Sequence, residues 1–502
     1  MSICASGAAV IQPAVPPPTI TILRMALSFM CDFRITRSAG HACGAPPVPL
    51  IGTQVSRCRR CCCLGVYADF VRSALELIYT GSEIQTTRSQ ERKTVSVEAT
   101  GNQQLLKDIN RMLLVRHLCA NPSLSRADLA AAVGLTKSTV SLLVRELIDE
   151  GWLVEREVVA TGDLGRRPTP LFIDPSRLLL LGAEVGIESA RVVATSLTGD
   201  VLASAVASLG AGKGAKASIG ILAATLLKVR KQFDGAEHRF IGIGIGLPGG
   251  VDEARGFLHF APNLSWHDVP VGAVLAEKLA GTSLAGVPTF LQNEADVAAL
   301  GELEFNSAGA TDPLLYLSVN QGVGAGVVVG DRLLTGARGF AGEVGHMVLQ
   351  LNGPVCSCGR RGCAEAMIGP RAMLRSHGDE ALLHPMPEIR RRLAANDAET
   401  VRAVKKAGAY LGVLMQNLTS AYDPGCIVLG GAVVDLGDVF LQPALRTFEE
   451  SLAAANLALP AVQTSRFGAD AVAVGAAALA RYRLTRPLMN ATSAVPGIAE
   501  VA

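Results

Sequence analysis

The stretch GFAGEVGHMVLQLNGPVCSCGRRGCAEAMIG, residues 339 to 369, combines one histidine with three closely spaced cysteines. One imidazole and three thiolates form the ligand set of a closed structural zinc site. Gly359 and Gly362 suit this chemistry, because the backbone must turn tightly to aim successive sulfurs at one ion. Four ligands leave no open coordination position, so we predict one structural zinc ion per chain and not a catalytic one. The predicted ligands are His346, Cys356, Cys358 and Cys363.

Two other interpretations of these cysteines are weaker. A redox pair would more naturally have C-x-x-C spacing in a thioredoxin-like setting, and three unliganded cysteines beside an unrelated histidine would be a coincidence. A second cysteine-rich run, CRRCCC at residues 58–63, has no paired spacing and no histidine in register. We therefore assign no metal to that run.

The composition limits the function without naming it. The chain has 502 residues, enough for two to four domains, and its net charge of +2 indicates no partner by bulk electrostatics. Hydrophobic residues make up 49% of the chain. However, no run of about 18 apolar residues is free of charge and proline, and no signal-peptide order is present. We expect a cytoplasmic protein with no membrane partner.

The two ends of the chain lack a pattern. Residues 1–101 follow no sustained helical or strand period. They are either a poorly ordered extension or translated upstream sequence from a misplaced start codon, and the abrupt change of pattern near Asn102 favours the second interpretation. Residues 484–502 are also unpatterned, so we expect a disordered tail.

A helix-turn-helix is predicted within residues 102–175. Ser125 and Asp128 resemble a capping box, Gly134 permits the left-handed turn that ends the helix, and Thr136 caps the next one. The segment that follows has the pattern of a strand, a glycine-rich turn and a strand. We therefore predict a winged helix-turn-helix domain. The inward stripe of its second helix is formed by Val140, Leu143, Val144 and Leu147.

This domain is expected to bind double-stranded DNA. The second helix should present polar side chains to base edges and phosphates, and the wing should carry paired arginines at its tip. A structural three-helix bundle would have the same apolar stripes, and ten Lys or Arg against nine Asp or Glu across residues 101–177 is not globally basic. The arginine pair favours DNA binding. The predicted contact residues are Lys137, Ser138, Thr139, Ser141, Arg145, Arg166 and Arg167.

Beyond this domain, strands and helices alternate in two α/β halves. We expect the first lobe at residues 178–300 and the second, with the zinc site, at residues 301–483. Polar residues gather where the predicted strands end, which is where such sheets bind ligands.

The sequence around the zinc motif resembles the ROK family of bacterial repressors and sugar kinases. The motifs APNLSWHDVPV from Ala261 and LQNEADVAALGE from Leu291, with the glycine-rich stretch from Gly322, support the resemblance, which covers residues 104–480. It implies an α/β, actin-like two-lobed domain of the sugar kinase and ribonuclease H-like type. Within that family, an N-terminal winged helix marks the regulators, usually of sugar catabolism.

The resemblance also implies a sugar-binding site. Carboxylates and amides on a rigid frame can discriminate the orientation of hydroxyl groups, because a lost pairing leaves a buried group unsatisfied. Zinc would fix His346 and Glu365 at opposite ends of one clamp. The residues that match the family's sugar-binding positions are Asn263, Asn293, Glu294, Glu343, His346 and Glu365.

Several positions depart from the family's kinases. Glu294 stands where the kinases have their aspartate base, so we assign no catalytic residue. EVGIES at residues 184–189 replaces the first phosphate loop, and the carboxylate of Glu188 would repel ATP. NQGVGAG at residues 320–326 lacks the G-T-G opening of the second loop, although a glycine pair at residues 430–431 lies near the expected nucleotide site. We predict that kinase activity is lost.

These observations predict a sugar-responsive transcriptional regulator, a repressor of carbohydrate catabolism genes. A small sugar or sugar phosphate would be the effector, and a homodimer or dimer of dimers would bind operator DNA. The alternative is an ATP-dependent ROK sugar kinase that retains a DNA-binding head.

Overall fold

The structure is a computed structural model that describes residues 103–156, 169–210, 214–234, 237–306, 311–379, 382 and 384–488. The predicted N-terminal extension, the wing residues Arg166 and Arg167, and residues 489–502 of the predicted tail lie outside the described residues. Within the described ranges no single helix is long and apolar enough to cross a membrane. The helices Arg126–Val133 and Lys137–Asp149 are long and apolar enough only when taken together, and they are bent by 115° relative to each other.

The N-terminal part of the described chain is a three-helix domain with a two-stranded antiparallel sheet. Its elements are α1 (Gln103–Ala120), α2 (Arg126–Val133), α3 (Lys137–Asp149), β1 (Leu153–Glu155) and β2 (Leu171–Ile173). The predicted caps are present: Ser125 and Asp128 form a capping box, Gly134 is left-handed with φ 72°, and the hydroxyl of Thr136 accepts from the Thr139 N–H. Since α2 and α3 meet at 115°, they have the geometry of a helix-turn-helix.

The first lobe begins after this domain. Its elements are β3 (Leu178–Val185), β4 (Ser189–Ser196), β5 (Val201–Ser208), α4 (Ala215–Lys231), β6 (Arg239–Leu247), β7 (Gly250–Asp252), β8 (Phe257–Ala261), β9 (Trp266–Val269), α5 (Val271–Leu279), β10 (Thr289–Asn293) and α6 (Glu294–Phe305). A five-stranded sheet has the order β10-β6-β3-β4-β5, with β3, β6 and β10 parallel. β7, β8 and β9 form a smaller sheet. α4 and α5 share a buried aliphatic core with the large sheet.

The second lobe has a sheet of similar size. Its elements, with the final helix of the described chain, are β11 (Leu314–Val319), β12 (Val323–Val329), β13 (Arg332–Leu333), α7 (Ala364–Ile368), α8 (Pro370–Leu374), α9 (Pro385–Ala394), α10 (Ala398–Tyr422), β14 (Cys426–Gly430), α11 (Asp438–Ala454), β15 (Ala461–Thr464) and α12 (Ala471–Leu484). The strand order is β13-β12-β11-β14-β15. α10 and α11 cover one face of this sheet, and α6 packs against the other.

The structure differs from the predicted lobe boundaries. The boundary at residue 300 falls inside α6, and α12, expected in the second lobe, packs on β3 and β6 of the first sheet. Glycines allow this close approach: a Cβ on Gly182 would lie 1.9 Å from the Ala473 carbonyl oxygen, and one on Gly244 would lie 1.7 Å from that of Ala476. The two lobes therefore meet through α12 and α6, which pack against each other.

The predicted disordered tail also begins too early. Leu484 is the last residue of α12, and Arg486 beyond it is buried. The Arg486 guanidinium donates to the carboxylate of Asp331 at 2.5 Å and lies 2.9 Å from that of Glu304. Charge pairing between distant segments, which has no local sequence pattern, holds this part of the chain in place.

Candidate functional site

The four predicted metal ligands come together, three cysteines from one tight turn and His346 from a short 3₁₀ turn before it. The Cys356 N–H donates to the Arg360 carbonyl at 2.8 Å, which closes the turn around Gly359, a left-handed residue with φ 83°. Gly362 is left-handed as well, and a Cβ there would lie 1.6 Å from the Gln350 carbonyl oxygen. Both glycines are thus required by the turn that aims the sulfurs inward.

The donor atoms fit a tetrahedral metal ion. The ligand atoms of His346 and the three cysteines all lie within 4.8 Å of one another. The Sγ atoms of Cys358 and Cys363 are 3.7 Å apart, and Cys356 Sγ is 3.7 Å from His346 Nδ1. Two metal–sulfur bonds of about 2.3 Å at a tetrahedral angle place their sulfurs about 3.8 Å apart. The cluster can therefore bind a metal ion.

The metal cluster adjoins two of the predicted sugar-binding carboxylates. Glu343 directly precedes a short 3₁₀ turn that ends at His346, and its Oε2 lies 3.9 Å from His346 Nε2. Glu365 lies in the first turn of α7, two residues after the ligand Cys363, and accepts a hydrogen bond of 2.8 Å from the Ser357 hydroxyl. His346 thus points Nδ1 at the cysteines and Nε2 at Glu343, so one ring can serve both sites.

Asn293 contributes to the site by capping a helix. Its side-chain oxygen accepts from the Ala295 N–H at 2.8 Å, and its amide nitrogen donates to the Gly249 carbonyl at 2.9 Å. The side chain therefore holds the start of α6, where Glu294 is the first helical residue. The structure gives Asn293 a positioning role that the sequence pattern did not predict.

Several carboxyl groups lie close enough to perturb one another. Burial, together with the charges of Glu184 and Glu343, raises the pKa of Glu294 to about 7. Burial also raises the pKa of Glu184 to about 7, although Arg191 opposes the shift. The pKa of Glu343 is raised by burial, against the effect of His346. The site is thus an acidic cluster in which protons are held near neutral pH.

Asp296 also belongs to this cluster, although the sequence pattern did not predict it. It is 1% exposed, and neither carboxyl oxygen has a hydrogen-bond partner among the described residues. Burial raises its pKa well above the ordinary value, and Glu253 and Glu343 raise it further. The only indication in the sequence is an aspartate within the otherwise apolar run ADVAAL.

A cleft of about 690 Å³ near these residues lies between the lobes. Asn263 and Glu188 line it from the first lobe, and Glu365 and Arg371 line it from the second. A carboxylate oxygen of Glu188 also lies 2.5 Å from His384 Nδ1, and this contact joins the two lobes directly. A cleft of this size and polarity suits a small polar ligand.

A second cavity, of about 400 Å³, lies where the sequence predicted the phosphate loops. Glu184, Arg191 and the glycine pair at residues 430–431 line it. Arg191 lies 2.9 Å from Asp470 and 4.0 Å from Glu184 across this cavity. The glycines are explained by packing, since a Cβ on the first would lie 1.9 Å from the Tyr316 hydroxyl.

The predicted DNA-contacting residues of α3 divide into two groups. Lys137, Ser138 and Arg145 are exposed. Thr139 is partly buried, and its hydroxyl lies 2.8 Å from that of the cap residue Thr136. Ser141 is also partly buried. Leu142, an apolar residue outside the predicted set, is 54% exposed on the same helix.

Comparison with known proteins agrees with this arrangement. The ROK family model matches residues 180–483, more than half of the chain, and a model of winged helix-turn-helix DNA-binding domains matches residues 107–154. The class of protein is thus a winged helix-turn-helix joined to a ROK domain. The chain belongs to the ROK family.

Two relatives are xylose repressors. The one from Caldicellulosiruptor bescii is 30% identical over 393 residues, which are 76% of this chain and 97% of the relative. The one from Bacillus subtilis is 31% identical over 336 residues, which are 66% of this chain and 85% of the relative.

Two solved structures share the fold. The ROK hexokinase of Thermus thermophilus covers 60% of this chain and 98% of its own, with a TM-score of 0.51 and 32% identity. A ROK family transcriptional regulator, a homolog of the E. coli MLC protein, covers 78% of this chain and 99% of its own, with a TM-score of 0.63 and 23% identity. The wider coverage extends the shared fold beyond the ROK domain.

Proposed function

We propose that the protein is a sugar-responsive repressor of carbohydrate catabolism genes. The observation that carries the proposal is the joining of a DNA-binding domain to a ROK domain within one chain, at residues 107–154 and 180–483. The relatives named xylose repressors support it over most of their length. Operator binding places the protein in the cytoplasm.

The effector of this repressor is a small sugar, and xylose is the first candidate because of the names of the relatives. Carboxylates and the metal-oriented imidazole bind hydroxyl groups, while Asn293 positions the start of α6. Zinc holds the ring of His346 and the turn that leads to Glu365. The proposed sugar ligands are Asn263, Glu294, Glu343, His346 and Glu365.

The DNA-binding form is a homodimer or a dimer of dimers. Two recognition helices then contact half-sites about one helical turn of DNA, or ~34 Å, apart. Lys137, Ser138 and Arg145 supply direct contacts from α3, and the sequence adds Arg166 and Arg167 as candidate DNA contacts. Thr139 and Ser141 support the helix and contact phosphates at its edge.

We also propose that phosphoryl transfer is lost. Arg191, which lines the cavity at the phosphate loops, is paired with Asp470 at 2.9 Å, and Glu184 adds a carboxylate to the same lining. The kinase alternative is favoured by one observation, the Glu294 pKa of about 7, which suits a general base. Sugar-dependent release of ADP from ATP by the full chain would establish that alternative.

The experiment starts from genomic DNA fragments selected by the full chain and follows operator affinity by fluorescence anisotropy at fixed salt. Xylose should weaken operator binding by about 5- to 150-fold. Glu343→Gln should abolish the response to xylose and leave the affinity for the operator in place. Arg145→Ala is the control with the reverse pattern: it should bind the operator more weakly and bind sugar as the parent does. A protein that is saturated with sugar and keeps its operator affinity would contradict the proposal.

A further inference from the structure

The tip of the β12–β13 hairpin lies at the junction of three parts of the molecule. Gly330 and Asp331 form its two-residue turn, with φ values of 58° and 62°, as in type I′ hairpins. The Gly330 N–H donates to the Asp312 carboxylate at 2.8 Å, which holds the turn against the rest of the second lobe. The side chain of Asp331 is therefore carried by the second lobe with little freedom.

Asp331 pairs with the DNA-binding domain on one side. Its Oδ2 contacts the guanidinium of Arg116, which belongs to α1. Beside this pair, a gap remains between α1 and the ROK domain. A cavity of about 300 Å³ separates them and is lined by Leu113 and Cys119 of α1 and by Leu303 of α6. An ion pair beside a cavity can be broken without disrupting a packed core.

Asp331 pairs with the first lobe on the other side. Its Oδ1 accepts from Arg486 at 2.5 Å, and the Tyr482 hydroxyl donates to its carbonyl at 3.4 Å. Arg486 contacts the carboxylate of Glu304 at 2.9 Å, and Arg481 contacts it at 2.8 Å. The side chains of Glu304, Arg481 and Arg486 are each 7% exposed or less.

The buried part of this network is fixed in its ionised state. Burial by itself raises the pKa of Glu304, but Arg481 and Arg486 lower it below the ordinary value. By contrast, the side chains of Arg116 and Asp331 are 37% and 41% exposed. The network thus has a rigid end in the first lobe and a weaker, exposed end at the DNA-binding domain.

We propose that Asp331 is the contact through which the relative position of the two lobes is passed to the DNA-binding domain. When a ligand moves the lobes, the hairpin moves against α12, and Asp331 keeps its buried partner Arg486 at the expense of Arg116. The first helix of the winged domain is then released on the side of its cavity. This inference rests on the proposed function, since it supplies the path from sugar to DNA.

The test is Asp331→Asn. Asparagine accepts a left-handed φ, so the hairpin is kept and only the charge is lost. Operator affinity is measured by anisotropy with and without xylose, and sugar binding is measured by calorimetry. We expect the variant to bind sugar with an affinity within about twofold of the parent. Xylose would typically lower the operator affinity of the parent by about 5- to 150-fold, and we expect the variant to lose most of this effect. Arg116→Gln should have the same effect, and the double variant should add nothing further.

The control is Asp234→Asn, which removes a carboxylate from an exposed ion pair with Arg230 on the far side of the first lobe. It should leave the effect of xylose on operator affinity unchanged. A parent protein that responds to xylose and an Asp331→Asn variant that responds equally would overturn the inference and leave the proposed function intact. A parent that binds xylose and operator without any coupling would overturn both.

Discussion

Glu294→Gln should remove a pH dependence of stability that originates in the acidic cluster. Burial and the neighbouring carboxylates Glu184 and Glu343 raise the pKa of Glu294 from an ordinary value of 4.5 to about 7. A glutamine has nearly the same shape and cannot ionise. The variant therefore isolates the free energy of placing one negative charge at the start of α6.

The direction in which pH changes the free energy of unfolding follows from proton binding. The folded chain holds the Glu294 proton more tightly than the unfolded chain, so raising the pH destabilises the folded state between pH 4.5 and about 7. The difference between these two values, at about 1.4 kcal/mol for each pH unit, is about 3 kcal/mol. Above about pH 7 the loss is complete, and below pH 4.5 it is absent.

The assay is urea denaturation of the sugar-free protein at several pH values between about 5 and 8.5. Glu294→Gln should be close to the parent at the acidic end and more stable by about 2 to 3 kcal/mol at the basic end. Glu277→Gln, on the exposed face of α5, is the control and should follow the parent throughout. An equal difference between Glu294→Gln and the parent at both ends of the range would refute the reasoning.

Three further predictions concern the other parts of the molecule. Gly244→Ala places a methyl group against the Ala476 carbonyl and should lower the free energy of unfolding by about 3 kcal/mol or more, measured by urea denaturation. Cys363→Ser should reduce bound zinc from about one equivalent to less than half, measured by metal analysis, whereas the buried Cys426→Ser, away from the cluster, should not. Lys137→Gln should weaken operator and non-operator binding alike and reduce the slope of log affinity against log salt by about 1, and an unchanged slope would exclude a phosphate contact.

Features that depend on neighbouring residues could be predicted from the sequence. The caps at Ser125, Gly134 and Thr136 follow from local backbone chemistry, and each is present. The metal cluster follows from spacing, because the glycines within it force the sulfurs toward one point. The acidic residues Glu343 and Glu365 were predicted from the resemblance of the same stretch to the ROK family, and the structure places both beside the metal cluster.

Features that depend on packing between distant segments could not be predicted. α12 has no apolar stripe because nearly every one of its residues is buried, so periodicity does not reveal which sheet it covers. Arg486 is placed by Asp331 and Glu304, which are remote in sequence. Asp296 resembles an ordinary acidic residue in the first turn of a helix until the structure shows both of its oxygens buried without partners.

The burial of α12 also limits the changes of length that this helix can tolerate. This helix has 14 residues, about 21 Å at ~1.5 Å per residue, and follows directly after Asp470, the partner of Arg191. A Cβ on Gly475 would lie 2.1 Å from the Val297 carbonyl, while Arg481 pairs with Glu304. One inserted residue between these points would turn one end about 100° against the other, so both contacts could not persist. A variant that keeps both contacts can exchange side chains along this helix but cannot change its length between them.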